Sequence, residues 1–165
     1  MLAYSGMRPG EAAQLARTNV VKQGDLWCVE VDDEEERRVK NAPSLRTVPI
    51  HPKLIERGFI EFAKPGQSGN VFASFKDDKG ELSDNPSRRF KRLLKKLGIG
   101  ERNGAAHRFR ASYIDAMRNA LVSYAVGLRL VGHTDKNRVH GGYGVGADVR
   151  TAARELPKID PCKDP

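Results

Sequence analysis

Five polar side chains scattered along this chain make chemical sense only if the fold brings them together: Arg8, His107, Arg110, His133 and Tyr143. They sit in four short segments, Gly6-Met7-Arg8-Pro9-Gly10-Glu11, His107-Arg108-Phe109-Arg110, Gly132-His133-Thr134-Asp135 and Gly141-Gly142-Tyr143-Gly144. Guanidinium groups match the non-bridging oxygens of a phosphodiester two at a time and stay charged at any physiological pH. Histidine adds hydrogen bonds and proton transfer near neutrality. A phenol supplies a nucleophile, so the set can hold a phosphodiester and attack it without a metal. Gathering residues 8 to 143 makes one domain of nearly the whole chain, and 165 residues are enough to bury a core.

The charge balance points to the same class of partner. Lys and Arg number 29 against 21 Asp and Glu, a net charge of +8, and the sequence pI is about 9.7. Such an excess favours a polyanion, nucleic acid first. A membrane surface is the weaker reading, because the chain has no long apolar run and no basic amphipathic anchor. Cys28 and Cys162 are the only cysteines and lie in no metal-ligand spacing, which fits two reduced thiols in a cytosolic protein. With no CxxC, HExxH, Walker-type loop or signal peptide, no cofactor and no metal are expected.

The order and spacing of the four segments resemble the catalytic domain of the tyrosine recombinases, the phage integrase family. The resemblance runs from Leu2-Ala3-Tyr4-Ser5-Gly6-Met7-Arg8-Pro9-Gly10-Glu11 to the tyrosine turn. It implies a mainly α fold with a small antiparallel β-sheet and a DNA breaking and rejoining activity in site-specific recombination. It also implies double-stranded DNA as partner, a homo-tetramer on DNA for the full-length protein and a monomer for the isolated domain. Full-length members carry a separate helical core-binding domain upstream, so residues 1–165 read as a catalytic-domain fragment, cytoplasmic and outside the membrane. Within the resemblance Arg8 and Arg110 clamp the phosphate, and Tyr143 attacks to give a 3′-phosphotyrosyl intermediate. His107 exchanges a proton with the tyrosine, and His133 bonds a phosphate oxygen. Lys40, ahead of Arg46-Thr47-Val48-Pro49-Ile50, is expected to protonate the leaving 5′ oxygen.

Some details depart from the family pattern. Ala111 stands where many members have a second histidine, and the Lys40 to Pro49 and His133 to Tyr143 intervals are each about one residue longer than the commonest family spacing. A type IB topoisomerase shares this chemistry, and a DNA-binding relic without catalysis is the rival from outside the enzymes. The short length and the Gly-His-Thr-Asp segment favour the recombinase.

Local patterns sketch the elements. An apolar helix is expected at residues 1–4, and Pro9 suits the first turn of a helix continued by Ala12, Ala13, Leu15 and Ala16, with Arg8 at the turn entering it. Residues 26–31 and 46–50 read as strands of a hairpin or three-stranded meander, separated by the acidic run 32–36. A helix is expected over 54–62, a loop over 65–69 and a brief apolar stretch at Val71-Phe72. Ser83-Asp84-Asn85-Pro86 reads as a helix start. The helix that follows has Phe90, Leu93, Leu94 and Leu97 on an apolar stripe and is closed by Gly98 and Gly100. Its other face carries Arg88, Arg89, Lys91, Arg92, Lys95 and Lys96 with no interleaved acid, which favours contact with the DNA phosphate backbone over a merely solvated face. Helices are expected over 107–119, with Phe109, Tyr113, Ile114 and Met117 inward, and over 122–130. The tail after Glu155, with three prolines, reads as irregular, and His51 and His140 as surface histidines.

Overall fold

The computed structural model describes residues 1–31, 46–73, 86–99, 104–132 and 147–162. Lys40, His133, His140, Tyr143, the acidic run and the residues expected to cap the helix at Pro86 lie outside the described residues.

The chain enters through a 3₁₀ turn at Leu2–Tyr4 instead of the expected helix. Helix α1 (Pro9–Gln14) follows, with Pro9 in its first turn, where no N–H is required, and Arg8 extended at its N-cap. It is shorter than expected: Leu15 leaves helical geometry, and its carbonyl accepts the Val71 N–H at 2.8 Å. Strands β1 (Val20–Gln23), β2 (Leu26–Val31) and β3 (Arg46–Pro49) form an antiparallel sheet in the order β1-β2-β3. That confirms the meander and adds β1, a polar-ended strand for which no expectation was formed. Gly24, at φ 63, allows the two-residue turn between Gln23 and Leu26. Cys28 and Val29 point to opposite faces of β2 yet are 0% and 2% exposed, so the middle strand is covered on both sides.

The helix expected over 54–62 is two helices, α2 (Pro52–Glu56) and α3 (Phe59–Ala63), broken at Gly58 in the left-handed region. Then come α4 (Pro86–Lys96), α5 (Ala105–Asn119), α6 (Tyr124–Val131) and α7 (Val149–Glu155), the last started by the Asp148 carboxylate accepting the Thr151 N–H at 2.7 Å. Helix α5 packs against α4, α6 and the N-terminal turn, while α6 and α7 lie against β3. The core between them holds Met7, Val29, Val48, Leu54, Tyr113 and Leu130.

Three expectations are corrected here. In the described part of the tail, residues 156–162, a 3₁₀ turn forms (Leu156–Lys158), and Leu156 and Ile159 are packed in the core at 1% and 0% exposed. His51 is not at the surface but 2% exposed, because its ring caps α2. Its Nδ1 accepts the Lys53 N–H at 3.1 Å, which fixes the proton on Nε2, and Nε2 donates to the Ile159 carbonyl at 2.9 Å. The apolar stripe of α4 is only partly inward. Phe90 meets Phe109 edge to face at 5.3 Å, but Leu93 and Leu97 are 47% and 61% exposed. Leu93 looks into an apolar groove of about 830 Å³ that α4 shares with α1, Phe72 and Phe109.

Candidate active site

Arg8 is placed by the local chemistry of a helix start. The first N–H groups of α1 lack partners within the helix, and Glu11, one turn on, reaches back to accept the Arg8 N–H at 2.7 Å with Oε2. The other oxygen, Oε1, accepts Arg8 Nη1 at 2.9 Å. The Arg8 side chain thus lies along the helix start, 30% exposed, while Glu11 is 7% exposed. A second guanidinium reaches the same carboxylate from the sheet: Arg46 Nη2 donates to Oε2 at 2.8 Å from a side chain 10% exposed. Two guanidinium groups thus meet on one nearly buried carboxylate.

Arg110 is the buried member of the set, 8% exposed on the inner face of α5. That corrects the expected core face, on which Phe109 and Ile114 prove only half-buried. Its Nη1 donates to the Gly6 carbonyl and its Nη2 to the Val131 carbonyl at 2.6 Å. These bonds use two of the five donors of the guanidinium and fix its plane. They also join the segment that leads into Arg8 to the segment that leads into His133. Gly6 allows the approach. It sits at φ 61, and a Cβ there would stand 2.7 Å from Tyr113 Cδ1. Gly132, the left-handed cap of α6, is held by its N–H to the Leu128 carbonyl at 2.8 Å.

His107 lies three residues before Arg110 on α5 but is exposed where Arg110 is buried. Of the α4 cations, Arg89, Arg92 and Lys96 rim the apolar groove, whereas Arg88, Lys91 and Lys95 are not among its lining residues. Arg88, Arg92, Lys95 and Lys96 are exposed and Arg89 and Lys91 half-buried. Among the described residues no three His, Cys, Asp or Glu side chains gather in a way that could hold a metal ion. Burial pushes the Tyr113 phenol well above its ordinary pKa. Tyr4 is raised as well, by burial first and then by its hydrogen bonds to Cys162 and Asp160. Both stay protonated.

No protein-family model matches the sequence, and no curated protein matches it significantly. Solved structures do. The XerH site-specific recombinase bound to difH substrate in a pre-cleavage complex superimposes with a TM-score of 0.56 at 16% identity, over 94% of this chain and 40% of that one. The fold is tyrosine recombinase-like. The same recombinase on a palindromic difH substrate, in a post-cleavage complex, gives 0.55 at 17% identity over 81% and 37%. This chain thus spans about two-fifths of the length of those recombinases. The recombinase-like fold is mainly helical with a three-stranded antiparallel sheet, as the resemblance implied. No helix among the described residues is long and apolar enough to cross a membrane.

Sequence reasoning singled out Arg8 and Arg110 but assigned no role to Glu11 or Arg46. Glu11 had a local signal, a carboxylate at the third position of a helix whose cap needs an acceptor. Arg46 had none, since its partner lies 35 residues away.

Proposed function

We propose that this chain cleaves and rejoins double-stranded DNA through a covalent phosphotyrosyl intermediate, as part of a site-specific recombinase. Arg8 and Arg110 neutralise the non-bridging oxygens of the scissile phosphate. The Tyr143 phenolic oxygen attacks phosphorus, its proton passes to His107, and the bond to the 5′ oxygen breaks. Lys40 gives that oxygen its proton, and His133 donates to a phosphate oxygen in the transition state. Rejoining is the reverse: the 5′ hydroxyl displaces the tyrosine, and because the phosphotyrosyl bond conserves the energy of the broken one, no nucleotide is consumed. The basic face of α4 holds the backbone on either side of the cut.

The observation that carries this reading is Arg110 bridging the Gly6 and Val131 carbonyls, because it draws toward one point the two chain segments that flow into Arg8 and His133. The tyrosines support it too. Of four in the chain, Tyr4 and Tyr113 are buried and kept protonated, and Tyr124 and Tyr143 remain as nucleophiles.

The test is a nicked suicide DNA substrate run on a denaturing gel. A protein–DNA adduct should form with the wild type in excess EDTA and without ATP, persist in Tyr124→Phe, and vanish in Tyr143→Phe with DNA affinity unchanged. Adduct surviving Tyr143→Phe would assign the nucleophile elsewhere, and no wild-type adduct on any duplex would leave a DNA-binding domain without catalysis.

A further inference from the structure

Arg46 opens β3, opposite Val31 in the sheet, and its side chain runs between two turns instead of out to solvent. One end of the guanidinium is held by Glu11, whose Oε2 accepts Arg46 Nη2 at 2.8 Å and the Arg8 N–H at 2.7 Å. The remainder lies against the backbone of Gly132. A Cβ there would stand 2.5 Å from both Arg46 Cζ and Nη1 and 2.7 Å from Nε, so any side chain at this position would push the guanidinium aside. Gly132 is therefore glycine for two reasons, its φ of 67 and the plane resting on it. The residue after it in the chain is His133.

We infer that Arg46 is a positioning residue of the proposed reaction centre, a flat spacer that sets the Arg8 turn against the Gly132 turn. The inference rests on the proposed function for what the two turns carry. The shape of the group matters as much as its charge. A guanidinium presents an edge of donors to the carboxylate and a thin face to the glycine at the same time, whereas a lysine ammonium is a compact point charge that can do only the first. Glu11 is what makes the spacer report to Arg8: one oxygen of its carboxylate is shared between Arg46 and the Arg8 backbone, and the other holds the Arg8 side chain. Strain or release at Gly132 thus reaches Arg8 through two short charged contacts. Arg46 is not needed to touch DNA for this, and at 10% side-chain exposure it is poorly placed to do so.

The experiment pairs a kinetic cycle with hydrogen exchange on the whole chain. Arg46→Lys should lower the single-turnover cleavage rate at saturating DNA by about a hundredfold, the scale of a small misplacement of reacting groups, with Kd for DNA within about twofold. In an Arg8→Ala background the same change should cost less than about threefold more, because the residues act through one contact. Equal losses in both backgrounds would mark Arg46 as a support of the fold only and overturn the inference. Independently of cleavage, Arg46→Lys should speed amide exchange at Arg8 and at Gly132 by more than about tenfold while leaving Val29, in the middle of the sheet, unchanged. Should that variant not fold, Glu11→Gln is read the same way: faster exchange at Gly132, which Arg46 links to Glu11, supports the spacer, and unchanged exchange refutes it. If the wild type forms no adduct, the proposed chemistry fails, and the exchange result alone decides whether Arg46 couples the two turns.

Discussion

Arg110 donates to the backbone carbonyl of Gly6, 104 residues earlier in the chain. The contact gives a residue expected to grip phosphate a second task, because the same guanidinium satisfies Val131 and closes α5 and α6 onto the N-terminal turn. Arg8 is more open to solvent. Its side chain is 30% exposed and pairs with a carboxylate one helical turn away.

The two arginines should therefore fail differently. Arg110→Ala takes a donor from two buried carbonyls, and at about 1–3 kcal/mol for each acceptor stripped of its partner the loss should be about 2–6 kcal/mol. Arg8→Ala should cost about 1 kcal/mol or less, the range of a partly exposed pair screened by solvent. Urea titration measures both. Both variants should lose cleavage by orders of magnitude, but only Arg110→Ala should lower the unfolding midpoint sharply, and equal midpoints would contradict the bridging role.

Glycine substitutions separate backbone strain from packing. At Gly6 a methyl group would meet the ring of Tyr113, which is 0% exposed and cannot retreat, and φ 61 already disfavours a side chain. Gly6→Ala should cost more than about 2 kcal/mol. Gly10 lies within α1 with nothing inside 4 Å of its Cβ position, so Gly10→Ala should be neutral or stabilise by up to about 1 kcal/mol. Thermal melts of the two proteins should move in opposite directions or differ by several degrees.

His51 should make stability fall in mild acid. Burial holds its imidazole below the ordinary pKa, with partial opposition from the Ile159 carbonyl it bonds. The unfolded chain takes up the proton near pH ~6.5 while the folded one resists. The His51 contribution is thus complete above that value and lost as pH drops through the folded pKa, where a second ring proton would face the Lys53 N–H. Of its neighbours, Asp160, held low first by its bond to Lys53, gives way only in stronger acid. Unfolding midpoints between pH 7.5 and 5 should slope less in His51→Gln than in the wild type. Parallel slopes would assign the acid sensitivity to other groups.

The basic face of α4 is tested by salt. Arg92 and Lys95 are both exposed, one at the groove rim and one not among the groove residues. Replacing both with alanine should weaken binding to every duplex and flatten the slope of log K against log salt by about 0.9 for each lost phosphate contact. An unchanged slope would leave that face merely solvated.

Much of the architecture was legible because it rests on local chemistry. Pro9 marks a helix start and Gly98, at φ 69, a helix end whatever lies around them. What the sequence hid depends on distant partners. His51 reads as a surface residue until Ile159, 108 positions on, comes to meet it. The prolines of the tail suggest irregularity, and they mask the pair Leu156 and Ile159, whose burial only the assembled core explains. On α4 the repeat of Phe90, Leu93, Leu94 and Leu97 identified a helix correctly, but periodicity tells which side is apolar and not what covers it. The arginines and histidines of the candidate site were visible as types at a spacing, whereas the Glu11–Arg46 contact joins a helix to a strand and leaves no mark in either.

The contact between the Tyr4 hydroxyl and Asp160 spans 156 positions, and Asp160 is pinned again by Lys53 at 2.5 Å. A knot of side chains that ties residue 4 to residue 160 cannot close until everything between them has been made. Folding during synthesis should therefore stall in an open form until Ile159 and Asp160 emerge, and a nascent chain arrested just short of them should be cut by protease where the released protein resists.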